Sequence, residues 1–219
     1  MLISNFTTTD AGQKHLLGIE GDQKYKFIIA ESFFGMFCYF SKNSIFDFVA
    51  NIMANLSCLK EGREFMINNK YIEAIVIQMV THNLSEHRRK FLIQTLRNLL
   101  FEYEKYEQKF LDMNVPRDIC KVLIDEQGLT IDTLPKEWHL YASKNKREDV
   151  SWENTMSLID SLVLLANSDK LLERMQKMDI QCVLSKLRMP KEKEWEDACL
   201  RLTVLENQLA AKIEEQIEE

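Results

Sequence analysis

Glycine and proline are scarce in this chain, six and three among 219 residues. All-β designs turn often and draw on both residues at their turns, so this shortage argues against a sandwich or barrel and points to long helices joined by short turns. Basic charge is short as well. Lys and Arg number 28 against 34 Asp and Glu, giving a net charge of −6 and a pI near 5.4. Such a chain has no global field to collect phosphates, which argues against duplex DNA or RNA as the main partner. A local basic spot is expected only at Arg88, Arg89 and Lys90. Nor does any apolar run reach bilayer length. The most apolar stretch, residues 27–40, is interrupted by Glu31 and Ser32 and stops after fourteen positions, short of the roughly 20 that a spanning helix needs. It reads as a buried helix, and no membrane partner is expected. Residues 1–20 hold no basic segment followed by an apolar run, so a signal peptide is not expected and a cytoplasmic location is.

The motifs of catalysis are missing too. The five cysteines, Cys38, Cys58, Cys120, Cys182 and Cys199, are odd in number and form no CxxC pair. They read as reduced thiols packed as small hydrophobes. His15, His82, His87 and His139 lack metal-ligand spacing, and the sequence has no HExxH, GxGxxG, P-loop or GxSxG motif. One arrangement stays open, a Cys–His nucleophile from Cys120 and His139, because adjacency in space cannot be read from a sequence. The expectation is a protein that is not an enzyme, with no catalytic residue, metal or cofactor.

What the chain has in abundance is helical periodicity. In residues 88–110, Leu92, Leu96, Leu99 and Tyr103 recur at spacings of four, three and four, one stripe of a helix facing a core. Gln94, Arg97 and Phe101 fall on the opposite side with Asn98 beside them. Two amides, a guanidinium and an aromatic ring therefore point away from the core together. A second stripe, Ile45, Phe48, Val49, Ile52, Met53 and Leu56, has the same period. Placing Asn55-Leu56 on Asn98-Leu99 gives a shift of 43 residues and brings Phe48, Val49 and Met53 onto Phe91, Leu92 and Leu96. A period between 40 and 47 is roughly that of armadillo and HEAT repeats, whose units are two or three helices.

The repetition extends both ways. Asn5-Phe6 with Gly12 seven residues after Asn5 echoes Asn55-Leu56 with Gly62, so the chain is expected to start inside a repeat. Downstream, Leu158, Ile159, Leu162, Leu165, Leu171, Leu172 and Met175 continue the pattern, with Leu165 placed 66 residues after Leu99. About 23 residues are therefore inserted, counted against the 43-residue period. Residues 125–150 hold this insertion, bracketed by Gly128 and Pro135. Leu134, Trp138, Leu140 and Tyr141 within it suit a loop packed on the repeats. Gly62 is expected to close one helix, and Pro116 to open another. A final helix, residues 198–217, puts Leu202, Leu205 and Leu209 on one face and ends in Glu214, Glu215, Glu218 and Glu219, a polar cap. The expected fold is all-α, an armadillo/HEAT-like α-solenoid of about four to five irregular repeats, in a single domain over residues 1–219. On the concave face of such a stack, the 43-residue register aligns Asn51 with Gln94, Asn55 with Asn98, Ala54 with Arg97 and Cys58 with Phe101. Asn51, Asn55, Gln94, Arg97, Asn98 and Phe101 are the candidate partner-binding residues. The amides of Asn55 and Asn98 either satisfy groups within their own repeats or meet a partner. Arg97 and Phe101 have the composition of an interface anchor.

Asn55-Leu56-Ser57 with Glu61-Gly62-Arg63, then Thr95-Leu96-Arg97-Asn98 with Phe101-Glu102, then Leu134-Pro135 and Arg147-Glu148 ahead of Leu158 and Leu165, together resemble the armadillo-like family of cytosolic co-chaperones for elongation factor 2. The resemblance runs from Asn5 to about Leu205, although family members usually carry further N-terminal repeats. It implies a chain that binds newly made elongation factor 2 and links it to the cytosolic chaperonin during folding. The insertion departs from the family pattern, with Leu140 in place of a tyrosine and Ala142-Ser143 in place of consecutive prolines. The same face would equally serve a generic armadillo-like adaptor or scaffold holding an extended segment of another protein.

Overall fold

Helices that end at Leu56, Leu99 and Leu165 are each followed by a short turn, and this punctuation organises the chain. The computed structural model describes residues 2–20, 26–39, 47–81, 84–143, 150–187 and 195–218, and the chain divides into two compact units, Met1–Glu102 and Tyr103–Glu219. The first holds α1 (Leu2–Phe6), α2 (Asp10–Leu17), α3 (Ile28–Tyr39), α4 (Asp47–Leu56), α5 (Lys60–Asn68), α6 (Tyr71–Thr81) and α7 (Glu86–Leu99), closed by a 3-10 turn at Leu100–Glu102. The second holds α8 (Tyr103–Asp112), α9 (Val115–Gln127), a 3-10 helix at Lys136–Tyr141, α10 (Trp152–Leu165), α11 (Asp169–Lys177), α12 (Ile180–Leu184) and α13 (Trp195–Glu218). No strand occurs among the described residues.

Three helices make one repeat: α2–α3–α4 and α5–α6–α7 in the first unit, α8–α9–α10 and α11–α12–α13 in the second, with α1 packed on α4 as a third helix would be. The repeat is visible in the turns. A left-handed residue reverses the chain between first and second helices at Lys70 (φ 62°), Asn114 (φ 56°) and Asp179 (φ 51°), and Asn and Asp accept that conformation more readily than most residues. The third helices α7 and α10 are capped alike, with Ser85 accepting from the Arg88 N–H and Ser151 from the Asn154 N–H. Each unit is a short stretch of α-solenoid of the armadillo type. Its core is the leucine register read from the sequence: Leu56, Leu92, Leu96 and Leu99 in the first unit, and Leu158, Leu162, Leu165, Leu171 and Leu205 in the second, are fully buried.

Several expectations need correction. Residues 88–110 are two helices rather than one, because α7 stops at Leu99 and the 3-10 turn intervenes before α8. Leu100 and Glu102 are buried in that turn, so packing ends a helix that local propensity would continue; Tyr103, beyond the break, is half-buried. Gly62 does not close a helix. It lies in the first turn of α5, where an added Cβ would come within 2.0 Å of the Leu56 carbonyl oxygen; Gly12 in α2 meets the Phe6 carbonyl at the same 2.0 Å. Both glycines are there because two backbones touch. The helix expected at 27–40 buries Phe34 and Phe37 but exposes Ile28, Ile29 and Met36, and Phe48 is partly exposed rather than core. Pro116 opens α9 as expected, and Gly128 caps it with φ 59°. Ile45 and Arg147-Glu148 lie outside the described residues, as do the side chains of the acidic end of α13.

The insertion packs on α9. Ser143 donates its N–H to the Leu129 carbonyl at 2.8 Å, His139 Nε2 lies 2.9 Å from the Leu134 carbonyl, and the Lys121 ammonium sits over the Tyr141 ring. Trp138 is 3% exposed and meets Tyr141 edge-on, whereas Leu140 is 85% exposed and anchors nothing.

Candidate functional site

Helices α4 and α7 pack side by side, and the side chains they turn away from the leucine core make one continuous face. Gln94 is exposed on α7 and Phe101 in the 3-10 turn that follows it, with Arg97 and Asn98 half-buried between them; Asn51 and Asn55 are half-buried on α4. The structure thus puts five of the six candidate residues on two neighbouring helices and the sixth, Phe101, in the turn that closes α7.

Their hydrogen bonds divide them into two kinds. Asn98 Nδ2 donates to Ser57 Oγ at 2.9 Å, and Asn55 Nδ2 donates to Thr7 Oγ1 at 2.9 Å. Thr7 and Ser57 follow Asn5 and Asn55 by two residues, so one bond recurs from repeat to repeat: an asparagine of a third helix holds the hydroxyl just past the end of the preceding third helix. These amides stitch the stack through their NH2 groups. Asn51 and Gln94 make no hydrogen bond among the described residues, and their donors and acceptors face solvent.

Around the amides lie aromatic rings. The Arg97 guanidinium is 5.8 Å from the centroid of the Phe101 ring, which is 48% exposed, a cation–π arrangement that leaves the far face of the ring to solvent. At the other end of α7, His87 meets Phe48 and Phe91 edge-on at 5.9 and 4.8 Å. Below the face, Arg63 of α5 donates to Glu102 at 2.8 Å and to the Ser57 and Cys58 carbonyls, fastening the α4–α5 turn to the end of α7. Two parts of the sequence pattern that lie 39 residues apart therefore meet as an ion pair.

The basic spot is absent. Arg88 and Arg89 are each 2% exposed; Arg88 lies over the Phe37 ring and 3.4 Å from Asp47, and burial lowers its pKa while Asp47 works to raise it. Only Lys90 is exposed. The cysteines behave unequally. Cys120 is fully buried, and burial with Asp118 behind it pushes its thiol far up, the opposite of an activated nucleophile. Its proposed partner His139 is engaged with the Leu134 carbonyl. Cys58, Cys182 and Cys199 are exposed or half-buried free thiols rather than core, and Cys38 has no described side-chain environment. No group of His, Cys, Asp and Glu among the described residues is placed to hold a metal, and no described helix is long and apolar enough to cross a membrane.

Sequence reasoning missed the equivalent row in the second unit. There Arg201 of α13 donates to Asp160 of α10 at 2.8 Å, and Gln208 donates to Asn167 at 3.2 Å. The 66-residue shift that superposes Leu99 on Leu165 also puts Gln94 on Asp160 and Phe101 on Asn167, so the signal was present. It puts Arg97 and Asn98 on Val163 and Leu164, and the second unit lacks that pair.

These features define an all-helical protein of armadillo-type repeats with a polar–aromatic face on its third helices. Residues 1–182 match the family described as "Domain of unknown function (DUF383)", and the chain belongs to that family. A comparison with curated proteins finds no match. Among solved structures a designed armadillo repeat protein is similar at 12% identity and a TM-score of 0.33, over 93% of this chain and 98% of that one; the fold assignment rests on the helices themselves.

Proposed function

We propose that the α4–α7 face holds an extended segment of another protein, and that the chain works without catalysis as a cytoplasmic co-chaperone that binds newly synthesised elongation factor 2 and assists its folding with the cytosolic chaperonin. One observation carries the first part: Asn51 and Gln94 present amides with no partner among the described residues, flanked by the exposed ring of Phe101. A primary amide donates and accepts at once, as a peptide group does, and so suits the backbone of an extended chain whose own hydrogen bonds are unmade. Helix turns repeat at about 5.4 Å and alternate residues of an extended chain at about 6.6 Å, so the two spacings run nearly in step. The ring supplies an apolar contact of the aromatic kind that interfaces are enriched in. The elongation factor 2 assignment is supported by the resemblance of the sequence pattern. Its test is affinity purification from the source cell, which should recover elongation factor 2 together with chaperonin subunits. Recovery of a different protein, lost when Gln94 and Asn51 are changed to alanine, would make the chain an adaptor using the same face.

A further inference from the structure

We propose that the outer edge of the first unit, formed by α1, α2 and α3, docks an α-helix of a protein partner that presents phenylalanines three residues apart along one side. This surface is separate from the α4–α7 face and rests on a different observation: positions that are core in a later repeat lie open in an earlier one. The 50-residue register that sets Asn5 on Asn55 and Gly12 on Gly62 also places Ile3 and Phe6 of α1 on Met53 and Leu56 of α4. Met53 and Leu56 are fully buried, whereas Ile3 is 41% and Phe6 45% exposed. The same register matches His15 of α2 to Phe65 of α5. Phe65 is buried, and His15 is exposed and edge-on to Phe6. On α3 the 43-residue register superposes the left-handed residues Phe27 and Lys70 and sets Ile29, Gly35 and Met36 on Ile72, Gln78 and Met79 of α6. Ile72 and Met79 are fully buried, while Ile29 is 45% and Met36 36% exposed.

What covers the buried set shows what fits the open one. Phe27, just ahead of α3, stacks on Phe65 with ring centroids 4.5 Å apart, and Phe34 approaches Phe65 at 5.8 Å and meets Tyr71 edge-on at 5.0 Å. The Gln78 amide donates to the Phe37 carbonyl at 3.2 Å. The second helix of one repeat therefore closes the next through an aromatic ridge, Phe34 and Phe37, both fully buried. The α1–α2–α3 edge continues that interface in the same register, so its occupant is a helix of the same kind. Features of α3 agree with this. Ile29, Phe33 and Met36 follow one another at spacings of four and three, a single stripe down the helix. The one charge on α3, Glu31, falls about 160° from Ile29 at 100° per residue, so the stripe is uncharged. Gly35 has nothing within 4 Å of an added Cβ, at the position where Gln78 is buried against the preceding repeat. A second copy of the chain is disfavoured as the occupant, because its own Phe34 and Phe37 are already covered.

The test uses the full chain and a labelled, lactam-bridged helical peptide with the α3 sequence from Ile28 to Tyr39, in which Ile29, Phe33 and Met36 are replaced by glutamine so that Phe34 and Phe37 form its apolar ridge. Binding is followed by fluorescence anisotropy. The expected result is saturable binding that weakens at least about tenfold with Ile29→Glu or Met36→Glu in the chain, or with both phenylalanines of the ridge changed to alanine in the peptide. Both chain positions are exposed, so the thermal midpoint should stay at the parent's value, and Gln94→Ala should leave peptide binding unchanged. Failure of the peptide to bind, or binding that survives both glutamates, overturns the proposal. Glutamate variants that melt far earlier than the parent would show the edge to be core and overturn it too. Binding lost in Gln94→Ala places the peptide on the α4–α7 face and has the same effect. Self-association of the full chain that Ile29→Glu abolishes, with no peptide bound, gives the edge to a second copy and overturns the helical partner.

Discussion

Asn98 spends its NH2 group on a hydroxyl that is itself buried, since Ser57 is fully enclosed and also donates to the Ala54 carbonyl. Asn98→Ala should therefore destabilise the protein by about 1 kcal/mol, read as an earlier thermal midpoint, while Gln94→Ala, with no bond to lose among the described residues, should leave the midpoint unchanged. At this scale the sequence was half legible. Helical phase alone put Gln94, Asn98 and Phe101 on one side, but it could not supply Ser57, whose contact with Asn98 spans 41 residues and depends on how α4 and α7 pack. Phase also misled at Arg88 and Arg89. An arginine run reads as solvated, and burial over Phe37 and beside Asp47 became visible only with the neighbouring helices in place. A pH prediction belongs here as well. Lys170 at 2.6 Å, and after it the Ser168 hydroxyl, hold the Glu107 carboxyl below its ordinary value of 4.5. A depressed folded-state pKa gives stability that is present above the unfolded value and is lost as pH falls through the folded one. Glu107→Gln should flatten that part of the acid limb below about pH 4.5, measured as thermal midpoint against pH.

One glycine and one tryptophan show how elements meet. Gly62 sits where α5 crosses the end of α4, and its neighbour is a backbone oxygen that cannot swing aside. Gly62→Ala should cost about 3 kcal/mol, at the upper end of ordinary overpacking, whereas Gly35→Ala in α3, with nothing within 4 Å of the added Cβ, should be neutral or stabilising. Denaturant titration of the pair separates close approach from helix propensity. In the insertion, Trp138 should emit at short wavelength and resist aqueous quenchers in a chain lacking Trp152 and Trp195, because it is buried and meets the Tyr141 ring; ready quenching would contradict the packed loop. The break after α7 shows what the register held. Neither glycine nor proline marks it, so the local pattern runs on. Yet the 43-residue register matches Leu99 to Leu56, and α4 ends at Leu56; the stop recurs with the repeat, although the reading of one helix through residues 88–110 passed over it.

Over the whole molecule, three-helix repeats read from leucine spacing account for both units, and the division falls after Glu102, between the second and third repeats. The period was legible because core positions must recur wherever neighbouring repeats bury each other. The face was legible by default, as the residues left over once the core stripes had been assigned. What no periodicity encodes is the partner, since a face of amides and rings fixes a kind of contact rather than a sequence. The central claim, that this face is separable from the fold and binds the client, is tested by Arg97→Ala combined with Phe101→Ala, with thermal melting set beside recovery of elongation factor 2 from lysate. The account predicts a midpoint close to the parent's, because the exposed Phe101 ring and the Arg97 guanidinium over it lie outside the leucine core, and recovery reduced at least about tenfold, as expected for anchors worth about 2 kcal/mol or more together. A double variant that melts far earlier, or that recovers elongation factor 2 as well as the parent does, would contradict it.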